Sequence, residues 1–212
     1  MITPIFIKNK FTGGHFALQT KTANSPFTNP MSVYRKLKLQ STDIVVDIGA
    51  YVGEYSLFAI NQGVKKVIAY EPTPNTFTIL CMNQKPNMEI YNCAVIGSKE
   101  KTVNLYLSKG IGVTNSTTKI KKEFITVPAI LFDTAVKTAT IVKIDCEGAE
   151  YSFNLIQKHL RGIIIEFHPL VNTPWKKQAR QIMQNIESVG FTAIHTPQFK
   201  HGWDLTGCWV KN

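Results

Sequence analysis

Acidic side chains close several short apolar runs in this chain, and chemistry is to be sought at those closures. Ile44 to Ile48 is a β-branched run interrupted by Asp47, and it leads into the turn Gly49-Ala50-Tyr51-Val52-Gly53. Lys66 to Tyr70 ends at Glu71-Pro72. Ile141 to Ile144 carries Lys143 and runs into Asp145-Cys146-Glu147-Gly148-Ala149-Glu150. Three consecutive isoleucines, Ile163 to Ile165, precede Glu166, with His168 two residues on. A carboxylate at a strand tip can accept charge-assisted hydrogen bonds from hydroxyls or meet a cation. A histidine, with an unperturbed pKa of about 6.5, can act as general base toward a hydroxyl.

The spacing around Asp47 is Asp-x-Gly-x-x-x-Gly rather than Gly-x-Gly-x-x-Gly. A dinucleotide needs closely spaced glycines because its pyrophosphate lies against the turn, and Ala50 and Tyr51 partly fill that space. Gly49 allows a tight bend, and Gly53 lets a helix start lie close under a ligand. The pattern suits a nucleoside ligand without a pyrophosphate, S-adenosylmethionine above all. Asp47 is expected to meet a cationic or hydroxyl-bearing part of it. Glu71, followed by Pro72, is expected to accept both ribose hydroxyls. Asn92-Cys93-Ala94 could read the adenine edge, since an amide donates and accepts at once.

Lys143 and Asp145 fall on one strand face, because side chains alternate with a period of two. A lysine inside a sheet needs a carboxylate or carbonyl partner. Asp145 could bind the ligand's ammonium group, orient an acceptor hydroxyl or help hold a metal. Glu147 and Glu150 fall in the first turn of an expected helix, where the dipole favours acids. Asp145, with Glu166 or His168, is expected to position the acceptor and remove its proton, Lys143 acting as an orienting partner. No tight His/Asp/Glu cluster argues for a metal in the sequence itself, although Asp145, Glu166 and His168 could converge on one.

Positioning these tips requires an alternating scaffold. The pattern predicts strands over 44–50, 66–71, 88–96, 139–145, 162–168 and 191–196. It predicts helices over 53–61, 74–83, 147–160 and 175–189, and a last short strand over 208–211. Strands alternating with helices mean an α/β fold with a parallel sheet covered on both faces. The final two strands suggest an antiparallel hairpin at the sheet edge. Two β-like runs, 103–107 and 124–129, mark a β insertion near 98–128. Residues 1–43 are turn-rich and read as an N-terminal arm able to cover the pocket, leaving 44–212 as the ligand-binding domain.

At 212 residues the chain can bury one substantial core. With 44% hydrophobic and 18% charged residues it is globular rather than disordered. No apolar run approaches the roughly 20 residues a bilayer span needs, and the first residues lack the basic start of a secretory signal. Four scattered cysteines without a Cys-x-x-Cys point to reduced thiols and a cytoplasmic location. The net charge of +10 favours an anionic partner, whether a phosphorylated sugar, a glycolipid head group or nucleic acid.

The residues resemble the FkbM family of S-adenosylmethionine-dependent methyltransferases over roughly 44–200. The match lies in 46–57, Tyr70-Glu71-Pro72, 92–95, Asn115-Ser116, 142–150 and 163–166. Lys-Ile-Asp-x-Glu-Gly-Ala-Glu (143–150) is its distinctive element. The resemblance implies a Rossmann-like class I methyltransferase fold: a seven-stranded, mostly parallel sheet with an antiparallel last strand. It also implies O-methylation of a sugar, glycolipid or related small molecule. Tyr51 departs from the small polar residue, typically Asn, that the family carries there. Two rival readings are a nucleic-acid 2′-O-methyltransferase, prompted by the charge and by Lys143, Asp145 and Glu166, and a non-catalytic nucleoside-binding protein.

Overall fold

The computed structural model describes residues 5–8, 15–18, 30–107, 123–199 and 205–211. Near the N-terminus β1 (Ile5–Lys8) pairs antiparallel with β2 (His15–Leu18), and a short helix α1 (Pro30–Tyr34) comes next. The alternation then begins with β3 (Ile44–Ile48), α2 (Glu54–Asn61), β4 (Lys66–Tyr70), α3 (Pro74–Asn83) and β5 (Met88–Tyr91). Beyond it lie β6 (Ala94–Ile96), β7 (Thr102–Tyr106), β8 (Phe124–Leu131) and the single turn α4 (Phe132–Ala135). The chain finishes with β9 (Ile141–Ile144), β10 (Gly162–Glu166), α5 (Trp175–Ser188), β11 (Thr192–His195) and β12 (Thr206–Val210).

Seven of these strands form one sheet in the order β11-β12-β10-β9-β3-β4-β5. Only β12 runs against its neighbours; the pairs from β10 to β5 are parallel. Parallel central strands are buried on both faces, which is why Val45, Val46, Ile163, Ile164 and Ile165 are fully shielded. Alternation sorts the two faces. Val45, Val67, Ala69, Ile141 and Ile164 pack with α1, α2 and α3. Val46, Ile48, Ile68, Val142, Ile144, Ile163, Ile165 and Trp209 pack with α4 and α5 on the other side. Asp47 and Lys143 are register partners on adjacent strands, on the same face as Val45 and Ile141. That shared face is what brings an acid and a lysine together under α2.

Three expectations need correction. The run 88–96 is not one strand: it breaks at Asn92-Cys93, and β6 leaves the main sheet to join β8 and β7 in a three-stranded sheet. β7 and most of β8 fall within the stretch 98–128, whereas β6 lies before it; residues 108–122, including Asn115 and Ser116, lie outside the described residues. The helix expected over 147–160 is replaced by a single 3-10 turn at Ala149–Ser152. Glu147 (φ 55°) and Gly148 (φ 108°) are both left-handed, which a right-handed helix cannot include. Finally, Val33, Tyr34 and Leu37 of the expected arm are core residues packed with α2, so the body of the domain begins before residue 44. The turn-rich stretches over 9–14 and 19–29 lie outside the described residues. No helix among the described residues is long and apolar enough to cross a membrane.

Candidate active site

The strand order reverses between β3 and β9, and crevices form outside the carboxyl ends of strands at such a point. A pocket of about 240 Å³ lies there, bordered by the chain just beyond β3, β4, β9 and β10.

Its floor is the turn after β3. The Gly49 and Ala50 N–H groups both donate to the Tyr70 carbonyl at 3.0 Å. Gly49 has φ 72°, and a Cβ there would sit 1.8 Å from the Asp145 carbonyl oxygen, so only glycine lets the turn press against the end of β9. Tyr51 is also left-handed, at φ 53°. Asn tolerates that conformation better than most residues. Here the tyrosine adopts it, and its N–H donates to Glu71 Oε2 at 3.0 Å.

Glu71 also accepts from the Thr73 N–H at 2.8 Å. Burial pushes its carboxyl up to about 7 against the pull of these donors and of Lys143. The Thr73 side chain adds a third hydrogen bond, and since a carboxylate offers roughly four lone-pair sites, about one acceptor direction is left beside the pocket. Cys93, Ala94, Val95 and Leu105 supply an apolar wall next to it.

Lys143 is the electrostatic hub. It is 4% exposed, and its Nζ lies 3.2 Å from Asp47, 3.4 Å from Asp145 and 2.9 Å from the Gly49 carbonyl. Burial would lower its pKa, but Asp47 and Asp145 outweigh that and raise it above the ordinary lysine value. The ammonium therefore fixes the β3 turn to β9.

On the far side, fully buried Glu150 accepts from the Gly148 N–H at 2.8 Å and the His168 N–H at 2.7 Å. It also lies 3.2 Å from His168 Nδ1, while Nε2 faces Asp145 at 3.5 Å and Glu147 at 3.6 Å. Burial alone would push the imidazole down. The hydrogen bond and charge of Glu150, with Asp145 and Glu147, hold it up at about 10. His168 is thus an imidazolium at neutral pH and has no lone pair for a proton.

Glu166 differs from its neighbours. Its carboxylate makes no hydrogen bond among the described residues, and burial and Asp145 push it up to about 7 against His168 and Lys143. Ligand atoms of Asp145, Glu166 and His168 lie within 4.8 Å of one another. Lys143 and a protonated His168 supply the positive charge beside these acids.

Of the expected site residues, Gly49, Ala50, Tyr51, Glu71, Pro72, Cys93, Ala94, Lys143, Asp145, Glu166 and His168 all border the pocket. Three do not. Asp47 is 0% exposed and is taken up by Ser56 Oγ at 2.7 Å and by Lys143, so it secures the turn and cannot reach a ligand. Gly53 starts α2 against α3, where a Cβ would meet Leu80 at 2.7 Å. Asn92 spends its amide N–H groups on the carbonyls of Glu71 and Pro72, at 2.8 and 3.2 Å, and braces that corner instead of facing a base edge. Conversely, Tyr34, Glu54 and Tyr55 border the pocket without having been singled out. Tyr34 reaches it from α1, its hydroxyl donating to Asp145 at 3.5 Å. Such a contact between residues 111 apart in sequence leaves no local pattern to read.

A seven-stranded sheet of this order, with one reversed strand and a pocket at the switch point, defines the class I methyltransferase fold. An FkbM methyltransferase from Methylobacillus flagellatus KT has it, with a TM-score of 0.54 and 15% identity over 82% of this chain. This chain spans only 44% of that protein. M. jannaschii TYW2, solved in complex with AdoMet, superposes with a TM-score of 0.54 and 14% identity over 100% of this chain and 88% of its own. Precorrin-6y C5,15-methyltransferase from Geobacter metallireducens GS-15 gives 0.50 and 13% over 91% and 93%. At such identities the likeness is one of fold. No curated protein matches the chain. The family is set by the sequence: the methyltransferase FkbM domain matches residues 47–193, and the chain belongs to that family.

Proposed function

We propose that this protein is an O-methyltransferase that uses S-adenosylmethionine and acts on a hydroxyl of a small, sugar-containing or anionic acceptor. When bound, the cofactor supplies a methyl group on a sulfonium, already an activated leaving group. The pocket residues fit such a ligand. Glu71 borders the pocket with acceptor capacity left for a ribose hydroxyl, Cys93 to Val95 form an apolar wall for a base, and Gly49 keeps the floor free of a side chain.

The protein's own work is alignment and proton removal. Orientation of reactants can be worth about 7 kcal/mol or more. Asp145, held by Lys143 and Tyr34, orients the acceptor hydroxyl. Glu166 takes the hydroxyl proton as the oxygen bonds to the methyl carbon. The observation that carries this reading is the unbonded Glu166 carboxylate beside Asp145, with a pKa near 7, where a general base is most effective. His168, already protonated, keeps the acids from repelling one another and is not the base.

The nucleic-acid 2′-O reading draws support from the net charge. Against it, Lys143 is buried and bonded on three sides, so a Lys-Asp-Glu trio cannot present its lysine to an acceptor. Radiolabelled methyl transfer to a panel of hydroxylated sugars and glycolipids, with RNA alongside, tests the proposal. Label is expected in the saccharides, where hydrolysis should return it as a methoxy sugar. Transfer to RNA alone, with binding that weakens steeply in salt, would overturn it.

A further inference from the structure

β10 delivers Glu166 and His168 to the pocket, and the chain leaves its carboxyl end through residues 169–174 into α5. The loop and the first turns of α5 therefore stand at the rim of the pocket mouth. Val171, on that loop, is 72% exposed, the highest value among the large hydrophobic side chains of the described residues. A lone exposed valine is ordinary, but this one adjoins a surface of a single sign. No acid occurs over 167–186, a stretch that carries Lys176, Lys177 and Arg180. All three are exposed and share one helix face, since 176 and 177 lie four and three positions before 180. α5 turns a different face to the core, through Ala179, Ile182, Met183 and Ile186. None of the three cations makes an ion pair among the described residues; Lys176 lies over the Trp175 ring at 5.5 Å. Two lysines in the first turn of α5, with no acid there, also oppose the helix dipole, so the helix gains nothing from them.

We propose that this rim, Val171 with Lys176, Lys177 and Arg180, docks the protein on an anionic lipid bilayer and so presents the pocket mouth to lipid head groups. Basic residues beside such a surface are drawn by its negative potential, and an aliphatic tip gains by entering the headgroup layer. Single-stranded nucleic acid would instead call for exposed aromatic faces on which bases stack. Trp175, the aromatic ring of this patch, is taken by Lys176 and by its edge contact with Phe199 at 5.5 Å. Docking needs neither cofactor nor methyl transfer, so it stands or falls apart from the O-methyltransferase reading. Where both hold, the acceptor hydroxyl is lipid-borne.

Co-sedimentation of the full chain with vesicles of phosphatidylcholine, with and without phosphatidylglycerol, tests this. Wild type should pellet with the anionic vesicles alone and be released by salt. K176Q/K177Q/R180Q should weaken partitioning roughly 10²-fold, about fivefold for each charge. V171D, which sets a like charge against the lipid in place of the apolar tip, should weaken it about tenfold. K65Q/K137Q/K158Q removes as much charge shortly before β4, β9 and β10, at the other end of the sheet. It should stay within about twofold of wild type, because the surface potential dies away within a Debye length. The melting temperature of K176Q/K177Q/R180Q should be unchanged or higher, since no ion pair is lost and the dipole is relieved, which separates a binding loss from misfolding. Equal pelleting on both kinds of vesicle, pelleting on neither, or equal loss in the two triple variants overturns the docking surface. So does a single-stranded RNA that wild type binds through these three residues and that strips it from the vesicles.

Discussion

Removal of the Lys143 ammonium is the severest single perturbation this site offers. In Lys143→Met the apolar stem is roughly preserved and the charge is lost. Asp47 is 0% exposed and would keep only the Ser56 hydroxyl at 2.7 Å. At the observed 3.2 and 3.4 Å, and an effective dielectric of about 20, each attraction is roughly 5 kcal/mol before desolvation is counted. Much of that offsets the cost of burying the lysine, and stranding one partner of a buried pair typically costs about 3–5 kcal/mol. Urea unfolding at pH 7.5 should therefore show a loss of about 3–5 kcal/mol in K143M, with most of it recovered in K143M/D47N, where the part-exposed Asp145 loses the lysine but no fully buried charge is stranded. Because folding raises the lysine pKa, the stabilisation is fully present below the unfolded value of about 10.4 and declines as pH rises beyond it. Wild type should lose stability above that pH and K143M should not. A loss under about 1 kcal/mol, or no recovery in the double variant, would refute the role of Lys143 as the hub that ties the β3 turn to β9.

Glu71→Ala should weaken S-adenosylhomocysteine by roughly tenfold or more in titration calorimetry, since it removes a charge-assisted acceptor. With the Glu71 carboxyl raised to about 7, wild-type affinity should fall as pH drops below 7 and the carboxyl takes up a proton; a flat profile in the wild type would exclude the ribose role. In methyl-transfer assays on whichever acceptor is accepted, kcat should rise with pH through about 7 as Glu166 ionises. Glu166→Gln should lower kcat by about 10²-fold or more and abolish that limb. If the limb survives in Glu166→Gln and disappears in His168→Gln, the base has been misassigned.

Much of the fold is written locally. Apolar runs ending at Asp47, Glu71, Asp145 and Glu166 lie in, or close, four neighbouring parallel strands of the central sheet, because β-branched runs of that length bury on both faces in any such sheet. Gly49 was legible for the same reason, since a bend between a buried strand and a helix needs a residue free to take positive φ. The segment after β9 was not legible. A stretch with acids in its first turn resembles a helix start, yet Glu150 is captured by the Gly148 and His168 N–H groups, and no window of sequence around 150 contains residue 168.

Residue order alone set the class of fold, the succession of strand tips and the residue types that stand at the crevice. The duties of those residues were assigned by the folded arrangement. Strand pairing set Asp47 against Lys143 and sealed both, corner packing withdrew Asn92, and the convergence of Glu150, Asp145 and Glu147 fixed the proton on His168. Partnership and burial depend on what lies opposite in space, and charge in a low-dielectric interior is governed by those two quantities rather than by position along the chain.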